Sequence, residues 1–521
     1  MADSPLDLDV KPAPVPATLV DAHSIHDSEP AKDVLMRGDL DVAAAYAHVL
    51  DGAPYSREEE VSLRWRLDRR IMPILFFNVV LASVDKTSTA TGALYGMEID
   101  CDLLVGTRYS WIGSSFYFGY LIASLPAAWA MQRYPIAKVI IACQLVWGIL
   151  LLVTGFVSNF PGLLVLRIIL GILEAPVIPG GVLIMNMWYP RRDIAIRLAF
   201  FYTGFAQLIT GPVGYGVGSL TNEWFRPWRL FFWILGGLTI VWACISGLLL
   251  PDSPVAAKFL SDREKAIVID RIRGDQTGVE NKHWKAEQAK EAFLDPKTWL
   301  LFFFNIFISM PNGGLTNFTP LIVNGLGYTA RRAALLTMPT GIMQTVAALL
   351  CNGFVYLTVR RYGNRYQVRG VAIIAGLIVG MIAAIFLYKL PLTSLHARLG
   401  TLYVSFFYLG PYIVSLGFIT INTSGHTKKV VVNAICFVAN CVANIIGPQS
   451  PLYPLGTGAI LGSYCLSIIT ICLYMGYCYY ENKRRDRLEG VNVSVQMDQR
   501  HEDTDFRDLT DMQNAHFRYV W

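Results

Sequence analysis

The sequence has little charge for its length. Of its 521 residues only 16% are Asp, Glu, Lys or Arg, whereas 54% are hydrophobic. Soluble domains usually carry about 25% charged residues, so this deficit argues against an ordinary soluble protein. The net charge of +5 comes from loop residues and forms no patch of the kind that binds nucleic acid. The composition favours a membrane protein with many spans.

Cysteine frameworks and common catalytic motifs are also missing. The nine cysteines are odd in number and include no CxxC pair, so we expect neither a disulfide framework nor a metal site. The sequence contains no P-loop, GxSxG or HExxH motif. Residues 1–56 are polar and rich in Pro and Ala, unlike a signal peptide. The absence of these motifs argues against an enzyme and predicts no cofactor. A proton gradient is the expected driving force.

What the sequence does contain is a series of twelve apolar stretches, and a bilayer span takes about 20 residues. They lie at about 71–92, 110–131, 137–157, 162–187, 196–220, 228–250, 298–322, 333–357, 368–388, 397–421, 430–450 and 457–480. The longest polar insertion separates six spans from six, which is the layout of a duplicated transporter. The predicted fold is therefore all-α, with twelve transmembrane helices in two six-helix bundles.

The predicted division of the chain follows from these spans and from the placement of Lys and Arg. The predicted parts are a disordered cytosolic tail (1–60), a first bundle (61–250), a cytosolic central loop (251–297), a second bundle (298–480) and a cytosolic C-terminal tail (481–521). Basic residues concentrate on one side of the membrane, for example in Arg64–Arg70 and Lys483–Arg487. Because cytoplasmic loops carry the excess of Lys and Arg, both termini are predicted to be cytosolic.

Four ionisable residues interrupt the apolar spans, all of them in the first half: Asp85, Lys86, Arg167 and Glu174. A charge at the centre of a bilayer costs roughly 2.5–3.5 kcal/mol on insertion scales, so these side chains should face protein or a water-filled cavity. Arg167 and Glu174 share one helix face but stand about 10.5 Å apart along the axis. Each therefore needs its own partner, either a charge on another helix or a ligand.

We assign predicted roles to these residues on chemical grounds. Lys86 and Arg167 would bind a substrate carboxylate, and Asp85 and Glu174 would carry or gate a coupling proton. A purely structural charge pairing is the alternative. Polar groups of the second half would complete the substrate site, namely Asn312, Asn317, Asn440 and Asn444. Hydrogen bonding between helices explains these four asparagines equally well.

Several segments resemble one family, the anion:cation symporters of the major facilitator superfamily. They are RLDRRIMPIL with ASVDKTSTATGAL in the first span, FYFGYLIASLPAAWAMQRYP in the second and RIILGILEAPVIPGG in the fourth. The late segment NTSGHTKKVVVNAICFVANCVANIIGPQ, at Asn422–Gln449, is similar to the fungal allantoate permease branch. Lys86 departs from this pattern, because the family usually has Arg there.

The resemblance implies two bundles that rock around a central site. It implies proton-coupled import of a small organic anion or vitamin of the allantoate, nicotinate, pantothenate or biotin type, by a monomer in the plasma membrane. Asp85, Arg167 and Glu174 match the family's intramembrane charges, while His426, Lys428 and Lys429 match a loop expected to be a cytosolic gate. The expected partners are the anion, protons and the lipid bilayer.

Export of a secondary metabolite or xenobiotic by proton antiport is the alternative, and the segment GPVGYGVG at Gly211–Gly218 favours it. A non-transporting nutrient sensor is a third hypothesis.

Overall fold

The part of the chain that the computed structural model describes is mainly helical and contains no strand. The described residues are 55–190, 197, 204–220, 226–274, 285–362, 367–391, 393–449, 453–492, 510–514 and 517–521. Within these ranges, nine helices are long and apolar enough to cross a membrane. The predicted all-α membrane architecture is therefore confirmed. Of the tail predicted to be disordered (1–60), residues 1–54 lie outside the described ranges, and Arg57–Glu60 form the first turn of a long helix.

The described residues of the first half and of the central segment form successive helices. They are α1 (Arg57–Gly92), α2 (Arg108–Arg133), α3 (Ile136–Thr154), α4 (Phe160–Glu174), α5 (Val177–Trp188), α6 (Ala206–Val217), α7 (Pro227–Leu249), α8 (Asp262–Gly274) and α9 (Ala286–Leu294). A π-helical turn (Ala93–Met97) and a short turn (Glu98–Asp100) follow α1.

The second half continues the same pattern. Its helices are α10 (Pro296–Gly325), α11 (Ala330–Leu336), α12 (Met338–Tyr362), α13 (Val368–Lys389), α14 (Leu395–Val404), α15 (Leu409–Asn422), α16 (His426–Ile446) and α17 (Tyr453–Asn492), with 3₁₀ turns at Ser405–Tyr408 and Gly447–Gln449. We call the end of the molecule at which α1 begins and α17 ends the basal end, and the opposite end the apical end. The last helix runs past the predicted span end at residue 480.

Local sequence signals explain where several of these helices begin. Ser56 and Glu59 form a capping box at the start of α1, in which each side chain bonds the other residue's backbone N–H. Asp295 caps α10 through the backbone N–H of Lys297, directly before a proline at the first helical position. These caps satisfy backbone donors that have no partner within the helix.

The predicted fourth span, residues 162–187, is present as one apolar stretch (Phe160–Trp188), but it is broken into two helices. α4 ends at Glu174 and α5 begins at Val177, with Pro176 between them. A proline has no backbone N–H and its ring clashes with the preceding turn, so it ends or kinks a helix. The break places Glu174 at the end of α4.

Glycines let the helices of the first half approach at backbone distance. A Cβ built on Gly119 of α2 would lie 1.9 Å from the carbonyl oxygen of Ile168 in α4, and one on Gly171 would lie 2.0 Å from that of Phe116. Real Cβ atoms do not reach such distances, so only glycine fits at both positions. Close packing of this kind is how membrane helices associate without a hydrophobic driving force between them.

The two halves of the chain touch at the apical end. The Tyr109 hydroxyl at the start of α2 donates to the backbone oxygen of Asn317 in α10, at 2.7 Å. Ser114 donates to the backbone oxygen of Ile445 in α16 at 2.7 Å and accepts from Gln449 at 2.8 Å. Helices α2, α10 and α16 thus form a hydrogen-bonded contact between the halves.

Helix α8 of the central segment packs on the basal end of the first half. Helix α8 forms ion pairs with the first turns of α1, since Glu264 pairs with Arg66, Arg263 with Glu59 and Arg271 with Glu60. Its apolar residues Ala266, Ile267 and Val268 are buried. Helix α8 is therefore attached to the first half by ion pairs and by buried apolar side chains.

Candidate functional site

Asp85 and Arg167 form a buried ion pair between α1 and α4. The Arg167 Nη1 atom lies 3.5 Å from Asp85 Oδ1, and the side chains are 2% and 0% exposed. Ser88, one turn after Asp85, accepts a hydrogen bond from Arg167 Nη2 at 3.1 Å. The Ser88 hydroxyl in turn donates to the backbone oxygen of Asp85 at 2.6 Å. The charge of Arg167 is thus neutralised by a carboxylate on another helix, which is one of the two kinds of partner that the sequence predicted.

Lys86 and Glu174 form a second, looser pair between the same helices. Their charged atoms are 3.8 Å apart, and Lys86 keeps 21% of its side chain exposed while Glu174 has none. The Lys86 ammonium also lies over two rings of α2, 5.4 Å from the centre of Phe116 and 5.2 Å from that of Tyr120. Neither oxygen of Glu174 accepts a hydrogen bond from the described residues. This carboxylate is therefore stabilised poorly as an anion in its present surroundings.

The four charges add to zero, and the two pairs differ in what they can do. Asp85 and Arg167 are fully enclosed and share hydrogen bonds, which suits a fixed structural pair. Lys86 has both a loose partner and partial exposure, so an incoming carboxylate could replace Glu174 at its ammonium. A proton on Glu174 would leave Lys86 free for that anion. The geometry thus provides one exchangeable cation and one exchangeable carboxylate.

A cavity lies between the halves, beside α1. It is partly open to solvent, and the empty space within it, solvent included, is about 290 Å³. Its walls come from α1, α6, α10, the junction of α11 and α12, and the 3₁₀ turn before α15. The lining residues are Thr87, Thr91, Gln207, Thr210, Leu315, Thr316, Thr319, Pro320, Thr337, Thr340 and Phe406. Helix α1 therefore turns Asp85 and Ser88 toward α4, and Thr87 and Thr91 toward the cavity.

Most of these threonines have already used their only proton. Thr210, Thr319 and Thr340 donate to backbone oxygens of their own helices or of the adjoining turn, at 3.2, 2.6 and 2.6 Å. Thr87 and Thr337 do the same. A hydroxyl has one donor and two acceptor lone pairs, so what remains for the cavity is acceptor capacity. The lining suits a ligand portion that donates N–H or O–H groups.

Three of the predicted asparagines bind one another rather than lining this cavity. Asn312 donates to Asn444 at 2.9 Å, Asn444 donates to Asn440 at 2.8 Å, and Asn440 donates to the Tyr412 hydroxyl at 2.8 Å. The Tyr408 hydroxyl completes the chain by donating to Asn312 at 2.6 Å. This network links α10, α15 and α16, which is the interhelical role that the sequence left open.

Asn317, the fourth predicted asparagine, lies at the contact between the halves. Its side chain donates to the backbone oxygen of Gly313 at 2.7 Å, and its own backbone oxygen accepts from Tyr109. A Cβ at Gly113 of α2 would come within 3.0 Å of the Asn317 side chain. In this structure Asn317 packs against the first half.

The residues predicted as a cytosolic gate stand at the start of α16. Lys428 is fully buried and pairs with Glu291, Asp295 and Asp511 at 2.8, 2.9 and 2.8 Å. Glu291 and Asp295 lie in the central segment just before α10, and Asp511 lies in the C-terminal tail. His426 is the first residue of the helix, and the backbone oxygen of Lys429 accepts from Asn433. The gate role of these residues stays a prediction.

The threonine lining and the tail contact of Lys428 were missed in the sequence. The threonines do carry a signal, because Thr87 with Thr91, Thr316 with Thr319, and Thr337 with Thr340 are spaced by three or four residues within apolar spans. Such spacing places two hydroxyls on one helix face. Asp511 carries no comparable signal, since it lies in a polar tail.

Comparison with known proteins agrees with this architecture. The family model of the Major Facilitator Superfamily matches residues 75–448 of this chain. The MFS-type transporter cnsL of Penicillium expansum is 34% identical over 92% of this chain and 93% of its own. The allantoate permease of Saccharomyces cerevisiae is 30% identical over 98% of this chain and 94% of its own.

Solved structures show the same fold. The proton:xylose symporter XylE bound to 6-bromo-6-deoxy-D-glucose superposes with a TM-score of 0.59 at 16% identity, over 78% of this chain and 95% of that one. At this identity the likeness concerns the fold alone. Family match, relatives and fold together show that the chain belongs to the Major Facilitator Superfamily, with a fungal allantoate permease among its relatives.

Proposed function

We propose that this protein is a secondary active transporter that imports a small organic anion together with protons across the plasma membrane. The observation that carries the proposal is the pairing of Lys86 with Glu174. An exchangeable cation and an exchangeable carboxylate stand side by side in a buried, neutral cluster. The proposed topology has twelve spans and both termini in the cytosol, so that the basal end faces the cytosol.

The charge balance supports coupling of the anion to a proton. An anion that enters the neutral cluster alone would leave a net negative charge at bilayer depth, which is costly. A proton on Glu174 cancels that charge and releases Lys86 at the same time. Anion and proton would then enter and leave together, which is symport.

The threonine-lined cavity supports a further feature of the substrate. Because its hydroxyls offer mainly acceptors, the part of the substrate that extends past α1 would carry N–H or O–H donors. A carboxylate that also bears amide or ureido groups satisfies both parts of the site. The allantoate permease relative gives this class a first candidate, since allantoate has one carboxylate and two ureido groups.

An uptake screen tests the proposal. Labelled carboxylates with and without N–H donors would be offered to yeast cells that express the chain and to cells that do not, at external pH 5 and pH 7. We expect expressing cells to accumulate a carboxylate faster at pH 5, and a protonophore to abolish the difference. Equal accumulation in both strains for all carboxylates would contradict import.

Export by proton antiport is the second candidate, and one observation favours it. Gly211 and Pro212 lie in α6 directly against the second half, where a Cβ on Gly211 would be 2.6 Å from the Met338 side chain. A Gly-Pro motif in this helix partly resembles that of drug/proton antiporters. Lower accumulation of a compound in expressing cells than in control cells would favour export over import.

A further inference from the structure

The last described residues of the chain fold back onto the basal end of the second half. We call residues 510–514 and 517–521 the tail segment. Its Asp511 is fully buried and contacts the ammonium groups of Lys297 and Lys428. Lys297 lies in the first turn of α10, and Lys428 in the first turn of α16. Asp511 therefore joins the basal ends of these two helices, alongside Asp295 at the start of α10, which also pairs with Lys428.

The contacts of Asp511 are those of an ionised group. Burial alone would raise the pKa of this carboxyl, but Lys297 and Lys428 outweigh burial and hold the pKa below its usual range. The Tyr519 hydroxyl of the same segment donates to Asp511 at 2.8 Å, and Arg485 of α17 donates to the Asp511 backbone oxygen at 3.0 Å. The carboxylate is thus bound from both the helices and the tail.

Two asparagines bind the backbone of the tail segment in the same manner. Asn422 donates to the backbone oxygen of Val520 at 2.6 Å and accepts from its N–H at 2.8 Å. Asn482 donates to the backbone oxygen of Tyr519 at 2.8 Å and accepts from its N–H at 2.9 Å. Each side-chain amide thereby bonds both backbone groups of one tail residue. A neighbouring strand offers the same kind of bonds when a protein binds an extended peptide.

The segment NTSGHTKK accounts for much of this binding surface. Asn422 binds Val520, the backbone N–H of Ser424 donates to Asp511 at 3.4 Å, and Lys428 pairs with Asp511. Gly425 has φ +88°, and a Cβ there would also be 3.0 Å from the Thr510 methyl group. The motif that sequence comparison singles out is therefore, in this structure, a receptor for the chain's own C-terminal segment.

The helices joined by Asp511 are also two of the helices that contact the first half. At their apical ends, α10 and α16 accept hydrogen bonds from Tyr109 and Ser114 of α2. We propose that the tail segment is a latch: by clamping the basal ends of α10 and α16 together it holds the arrangement in which the apical contact is closed. Release of the tail then shifts the protein toward the apically open state.

Hydrogen exchange of the full-length protein in lipid nanodiscs tests the latch. The variants are Asp511→Ala and, as the matched control, Met512→Ala, whose side chain is adjacent and 47% exposed. Three peptides are followed: the tail segment, the loop at residues 422–428 and the apical start of α2 at residues 108–114. We expect Asp511→Ala to speed exchange in all three by on the order of tenfold, because a hydrogen bond to a charged group is lost. Met512→Ala should leave all three unchanged.

Two results would overturn the latch. One is an unprotected tail segment in the unaltered protein, which would mean that the segment does not dock. The other is a faster tail and loop with unchanged exchange at residues 108–114, which would mean that docking is not coupled to the apical contact. Val520→Pro provides a second variant, since it removes the N–H donated to Asn422 and fixes φ at this position but leaves Asp511, Lys297 and Lys428 in place. The proposal rests on the proposed function only for the existence of two states, and exchange requires no substrate, so the latch and the substrate assignment can fail separately.

Discussion

Substitutions of Asp85 and Arg167, the buried pair, should have strongly coupled effects on the free energy of unfolding. Both side chains are almost completely enclosed, so removing one charge leaves the other buried without its partner. Breaking a buried pair in this way costs about 3–5 kcal/mol. We expect Asp85→Asn and Arg167→Gln each to lose that much unfolding free energy. The double variant has no orphaned charge, and its loss should be smaller than the sum by up to about 3 kcal/mol.

The assay is a double-mutant cycle measured by SDS-induced unfolding of the purified protein in mixed micelles. The matched control is the pair of Arg66 and Glu264, which also joins two helices but has an Arg66 side chain that is half exposed. Its coupling should be no more than about 1 kcal/mol. Additive losses at Asp85 and Arg167, within about 0.5 kcal/mol, would show that the two charges do not depend on each other and would refute the reasoning.

Three further predictions follow from the packing and from the cavity. Gly119→Leu should prevent folding, seen as loss of the monodisperse protein in gel filtration, because its Cβ would overlap the Ile168 carbonyl; normal yield and melting temperature would contradict the packing. Gly341→Val should weaken the contact between the halves, because a Cβ there would lie 2.0 Å from the Gly204 oxygen; unchanged hydrogen exchange at the α6–α12 contact would contradict this. Thr340→Val keeps the side-chain volume but removes an acceptor, and should weaken substrate binding about tenfold, measured as KM or Kd; an unchanged value would exclude contact with this hydroxyl.

The sequence allowed the charge pairing to be predicted because its physical basis is local. Charges inside apolar spans must be compensated, and the seven-residue separation of Arg167 and Glu174 requires two partners rather than one. The two partners are Asp85 and Lys86, which are the other two of the four ionisable residues within the apolar spans. Which acid joins which base depends on how α1 is rotated against α4, and that rotation is set by packing, including the close approach at Gly171.

Features that join distant parts of the chain were not predictable in this way. Lys428 was assigned to a gate from its motif, yet one of its partners is Asp511, which lies in a polar tail without hydrophobic periodicity. Pro176 is plain in the sequence, but apolar composition alone gave the span and not the break within it between α4 and α5. Threonines in apolar helices usually bond their own backbone, so only the cavity shape distinguishes Thr87 and Thr340 from the others.

The central claim is that Glu174 carries the coupling proton while Lys86 holds the anion. The most direct measurement uses purified protein in liposomes, once a transported carboxylate is known, and compares Glu174→Gln with the surface control Glu264→Gln. The account predicts that Glu174→Gln still exchanges labelled for unlabelled substrate but no longer accumulates it in response to an imposed pH gradient, whereas Glu264→Gln does both. Proton-driven accumulation by Glu174→Gln at the unaltered rate would contradict the account.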